Sequence, residues 1–105
     1  MTPRLRQFPV WPPGKTFDEY RHGPVNVEMH AGAQIFSFSS QDDRPVVTAL
    51  VDTDMTLTEW RRFFWSFDGF DTTAHIDQLN KGKFLGTAAV PHPSGQELYL
   101  WELSK

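Results

Sequence analysis

Residues 30–54, HAGAQIFSFSSQDDRPVVTALVDTD, hold two apolar runs on either side of a polar turn. That is the pattern of a β-hairpin. Neither run alternates cleanly. Ile35 points one way while Phe36 and Phe38 point the other, and Val46 and Leu50 oppose Val47, Ala49 and Val51. Near the C-terminal end, in ELYLWEL, Leu98 and Leu100 likewise oppose Tyr99, Trp101 and Leu103. A sheet with one solvated face should read apolar-in, polar-out. Apolar residues on both sides of a strand therefore demand a second cover. Either the sheet curls into a sandwich or small barrel, or its outer face is covered by the proline-rich N-terminal arm or by another chain.

The other segments support a mainly β domain. VNVEMH, 25–30, alternates Val25, Val27 and Met29 with Asn26, Glu28 and His30, as a half-buried strand does. EWRRFFWSF, 59–67, fits a helix through Trp60, Phe63, Phe64 and Phe67 and a strand through Phe63, Trp65 and Phe67. Its aromatic density favours the strand. KFLGTAAV and ELYLWEL form two more strands around PHPSGQ, a hairpin loop by its Pro91, Pro93 and Gly95. DGFDTTAHIDQLNKG reads as loop with a turn of helix at His75–Asn80. Residues 1–24 carry Pro3, Pro9, Pro12, Pro13 and Pro24 and read as an arm, pinned at an edge by Phe8, Val10 and Trp11. A further helical turn fits 16–23, with Thr16 and Glu19 as a capping box and Gly23 at its end. The expected fold is a small antiparallel sheet curled into a sandwich or barrel, with five or six strands and at most one or two short helices. The arm spans 1–24 and the β domain 25–105.

Composition narrows the function. The 105-residue chain has a net charge of −3, and nucleic-acid binders usually carry a basic face. It has no cysteine, which excludes disulfides and thiolate metal sites and fits a reducing cytoplasm. No apolar run approaches the roughly 18–20 residues of a membrane span. The first residues, with Arg4 and Arg6, lack the apolar stretch of a signal peptide.

Catalytic patterns are missing. His22, His30, His75 and His92 sit in unrelated segments without metal-ligand spacing. Asp42, Asp43, Asp52 and Asp54 fall in turn-like sequence, where aspartate bonds the local backbone. Ser37, Ser39 and Ser40 lack a nucleophile elbow, and GKFLGT lacks the spacing of a phosphate loop. No cofactor is expected. What stands out is aromatic content, with nine Phe, four Trp and two Tyr. Trp60, Arg61, Arg62, Trp65 and Phe70 form the candidate contact patch, since Trp and Arg are enriched at interface hot spots. Burial of the same residues in the core is the alternative.

The stretch 25–103 resembles a recurrent pattern of small phage and prophage proteins of unassigned function. The residues that carry it are Ala31-Gly32-Ala33, Gln41, Pro45, Ala49-Leu50-Val51-Asp52, Arg62-Phe63, Gly86-Thr87 and Glu102-Leu103. It departs at DGFDTTAHID, where only His75 and Ile76 match. The resemblance implies phage origin and a compact β domain, and it assigns no activity. The expectation is a non-enzymatic accessory protein that binds another protein, a host or defence component, in the bacterial cytoplasm. A homodimer is one way to cover the second face. A virion or assembly component, and a single-stranded nucleic-acid binder using Arg61 and Arg62, are the alternatives.

Overall fold

The computed structural model describes residues 1–10, 23–41, 44–67, 69, 71–90 and 96–104. Among the described residues seven strands run in chain order: β1 (Pro3–Pro9), β2 (Gly23–His30), β3 (Gln34–Gln41), β4 (Arg44–Asp52), β5 (Thr58–Phe67), β6 (Lys83–Val90) and β7 (Gln96–Glu102). A 3-10 turn at Thr73–His75 leads into one helix, α1 (Ile76–Lys81), between β5 and β6. All pairings are antiparallel. The first sheet has the order β1-β4-β3 and the second β2-β5-β7-β6. The two pack face to face as a sandwich and are not closed into a barrel. The expected strands all form. The count rises from five or six to seven because the N-terminal segment supplies β1. Trp11, Thr16, Glu19, His22, Asp42, Asp43 and His92 lie outside the described residues, and with them the expected 16–23 helical turn.

β1 escapes a reading by composition because of where its prolines sit. Val10 N–H donates to Pro45 O at 3.1 Å, and Thr53 N–H donates to Thr2 O at 3.0 Å. These bonds set the alternation of the β1–β4 ladder, so even-numbered residues of β1 bond to β4 and odd-numbered ones turn their N–H and C=O away. Pro3 and Pro9 occupy outward positions and cost no ladder bond. Pro24 does the same on edge strand β2: Ala31 N–H donates to Leu57 O at 3.0 Å, in register with the odd-numbered β2 residues that bond to β5.

The broken alternation of the hairpin has a local cause. Ile35 pairs with Ala49, but Ser37 already pairs with Thr48 and Phe38 with Val47, so Phe36 is an extra residue. This β-bulge shifts the parity of β3 by one. Ile35 and Phe38 then share the inner face with Val47, Ala49 and Val51, and Phe36 is left 59% exposed. β6 repeats the device. Phe84 pairs with Trp101 and Gly86 with Leu100, leaving Leu85 as the extra residue. Gly86 follows it at φ 142°, a conformation that a side chain would strain.

The main core lies between the sheets. Val47, Ala49, Val51 and Phe38 of the first sheet meet Val25, Val27, Met29, Phe63, Trp65, Leu98 and Leu100 of the second. Each large side chain buried there is worth about 1.5–3 kcal/mol.

The chain itself covers part of the outer face of the second sheet, around Phe64 and Trp101. Pro24, Phe64, Trp101 and Phe84 form one row across β2, β5, β7 and β6. Leu79 of α1 and Leu103 close over Phe64 and Trp101 as a second apolar cluster. His75 adds its ring to Phe64 at a centroid distance of 4.8 Å. A short helix thus supplies cover that the sequence pattern assigned to the arm or another chain. Only Leu79 of the helix is buried, which is why so small an element left a faint trace in the pattern. At its end Gly82 N–H returns to Gln78 O at 3.0 Å. A Cβ at Gly82 would lie 2.8 Å from Glu102 O, so the helix exit packs directly on the β7 backbone. No helix among the described residues is long and apolar enough to cross a membrane.

Candidate contact surface on the second sheet

β5 decides which of the sequence candidates reach the surface. Its odd-numbered residues pair with Val25, Val27 and Met29 and face inward; its even-numbered ones face outward. Five consecutive positions, Arg61 to Trp65, therefore split between two environments.

Trp65 is fully buried in the main core and offers no contact area. Arg61 also turns inward. Its Nε donates to Glu102 Oε2 at 2.5 Å and its Nη2 to Glu102 Oε1 at 2.7 Å. Nη1 donates to the carbonyl of Ala33, and Glu59 Oε1 stands 3.9 Å away. This fork-to-carboxylate pairing favours the charged guanidinium and raises its pKa, through the Glu102 bond that outweighs burial. The pair tethers β5 to the end of β7 and to the β2–β3 turn. It lines a cleft of about 410 Å³ with Ile35, Phe36, Lys83 and Leu85. Both bulged residues open onto that cleft.

Trp60 and Arg62 face out. Trp60, the third residue of β5, is 62% exposed opposite Glu28 of β2. The Glu28 carboxylate accepts a bond from Thr58 Oγ1 at 2.9 Å. Arg62 pairs with Asn26 and borders a hollow of about 210 Å³ with Gln78, Lys81, Leu103 and Ser104. Farther along the same face, Phe84 is 51% exposed and stacks edge-on against Trp101 at 5.4 Å. Phe70 lies outside the described residues. The candidates therefore contribute Trp60 and Arg62 to one surface, beside the helix, and Arg61 and Trp65 to the interior.

Phe84 and Phe36 are exposed aromatics that the sequence pattern does not single out as contact candidates. Each sits at a bulge, where no simple period applies.

The remaining polar clusters are occupied structurally. Asp52 Oδ1 accepts from Thr2 N–H and from Asp54 N–H, both at 3.0 Å. Thr2 Oγ1 donates to Asp54 Oδ2 at 2.8 Å. The DTD segment thus anchors the start of β1, and these backbone bonds hold the Asp52 carboxyl below its usual range. Asp71 accepts from Thr73 N–H at 3.0 Å and Thr73 Oγ1 at 2.5 Å, which lowers it likewise. Ser40 Oγ donates to Ala89 O at 2.7 Å across the β3–β6 edge. Among the described residues no group of three His, Asp or Glu is placed to hold a metal ion.

Comparison with protein-family models, curated proteins and solved structures returned no match.

Proposed function

We propose that this chain is a non-enzymatic accessory protein of the phage type, which acts in the host cytoplasm by binding another protein. The contact is the outer face of the second sheet around Trp60 and Arg62, and the partner class is a host or defence protein. The observation that carries this reading is the exposure of Trp60. A tryptophan held outward by a strand whose other face anchors the core brings a large, rigid apolar surface at little entropic cost. Arg62 beside it supplies a fork of donors, and the rim of Asn26, Glu28 and Thr58 is polar, as rims of contact patches are. Arg61 is neutralised inside by Glu102, which leaves Arg62 as the outward guanidinium of β5. That weakens the case for a nucleic-acid groove, which needs several cations along a track.

The test is capture from a bacterial lysate with tagged wild type, Trp60→Ala and Arg62→Glu, all checked for equal unfolding midpoints. The expected result is a specific protein held by wild type and lost by both variants. Identical capture by all three would remove this surface from the account.

A further inference from the structure

We infer that the edge of β1 turned away from β4 accepts an extended acidic segment of another protein as an added antiparallel strand. This goes beyond the Trp60 surface, which lies on the other sheet, and stands on separate observations.

Among the described residues β1 has one ladder neighbour, β4. The alternation set by Val10 N–H to Pro45 O and Thr53 N–H to Thr2 O leaves residues 3, 5, 7 and 9 facing away from it. Pro3 and Pro9 have no N–H to offer. The edge therefore presents a window of two donors, Leu5 and Gln7, with their carbonyls. Prolines at both ends keep a long strand from adding, which is how natural edges avoid indiscriminate pairing. A short strand still finds up to four main-chain bonds there.

Side chains then select the occupant. Arg4 and Arg6 are exposed on the face opposite Leu5 and Gln7, and among the described residues neither makes an ion pair. Two residues apart on a strand, they stand about 7 Å from each other. Carboxylates at alternate positions of an added strand have the same spacing and meet both arginines at once. Between them, an apolar residue meets Leu5, which is exposed on the outer face beside Leu50. The fitting sequence is acidic–apolar–acidic in extended form, the strand-addition mode in which backbone bonds give affinity and alternate side chains give choice. A second copy of this chain fits poorly. β1 against β1 would bring arginines together on the same face, and like charges across a ladder destabilise it.

The probe is a dye-labelled peptide, GSVEVEVSG, titrated with the full chain and followed by fluorescence anisotropy. GSVKVKVSG is the control. Two variants separate the contributions. Arg4→Glu with Arg6→Glu reverses the charge. Gln7→Pro removes an N–H that β4 does not use, in a strand geometry proline accepts, so the fold is kept and checked by its urea midpoint. The expected result is saturable binding of the acidic peptide alone, weakened at least about tenfold by either variant and within about twofold of wild type for Trp60→Ala. No saturation of wild type below about 1 mM overturns the inference. So does binding that falls with the arginines but is unchanged in Gln7→Pro, which would mean charge attraction without an added strand. A wild-type dimer that Gln7→Pro dissociates would give the edge to a second copy and overturn it as well. Loss of lysate capture in Trp60→Ala with peptide binding intact leaves the two surfaces separately judged.

Discussion

Removing Glu102 tests how the sandwich end is held. The Arg61 and Glu102 side chains are 13% and 21% exposed, and the carboxylate takes two of the guanidinium's donors. Breaking a fully buried pair from one side costs about 3–5 kcal/mol, because the other charge is left uncompensated. Two features reduce that here. The pair lines an open cleft through which water reaches Arg61, and Glu59 stays 3.9 Å away. Glu102→Ala should therefore cost about 2–3 kcal/mol. With a urea slope of about 1–1.5 kcal/mol per molar for a domain of this size, the midpoint falls by roughly 2 M. Arg61→Met should cost a similar amount, since it strips the Ala33 carbonyl of its donor. The double variant Arg61→Met with Glu102→Ala should cost about 3 kcal/mol, less than the roughly 5 kcal/mol sum of the two single changes, a coupling of about 2 kcal/mol in the cycle. A coupling under about 0.5 kcal/mol would place the pair with ordinary surface salt bridges and refute the reasoning.

Other consequences follow from particular residues. Phe36→Ser should change stability by less than about 0.5 kcal/mol, whereas Phe38→Ala should cost about 3–5 kcal/mol; equal costs in urea melts would mean that the bulge is misplaced. Leu79→Ala should cost about 2–3 kcal/mol by uncovering Phe64 and Trp101, and tryptophan emission should shift to the red while the main-core amides keep their exchange protection. The Asp52 carboxyl is lowered in the folded chain by its bonds from Thr2 and Asp54, so its contribution is present above the unfolded carboxylate pKa and is lost as pH falls through the folded one. Wild type should then unfold at higher urea than Asp52→Asn at pH 7, and the gap should close on titration to about pH 2; a constant gap would contradict the linkage.

Much of the fold is legible in the chain because its strands are strongly marked. β2 alternates, β4 is rich in β-branched residues, and the aromatic density of β5 resolves its ambiguity toward strand. Two things are hidden, for physical reasons. β1 looks like a proline-rich arm, since composition does not reveal that Pro3 and Pro9 fall on the outward side of the ladder. The bulges at Phe36 and Leu85 cancel the period of two on which any face assignment depends, so the apparent two-sidedness of the hairpin is partly a shift of parity. The rest is real two-sidedness, met by α1. For the candidate surface, four of the five residues singled out from the sequence lie on β5. The sequence did not part Arg61 from Arg62, because that needs the pairing of β5 with β2 to fix which parity is inward.

The most direct measurement is equilibrium urea unfolding of Trp60→Ala beside Trp65→Ala. If Trp60 is held out for contact and not for folding, its loss shifts stability by less than about 0.5 kcal/mol. Trp65→Ala should lose about 3–5 kcal/mol, and Trp65→Phe serves as the milder variant if alanine there prevents folding. A Trp60→Ala loss as large as that of Trp65→Ala would put Trp60 in the core and contradict the contact surface.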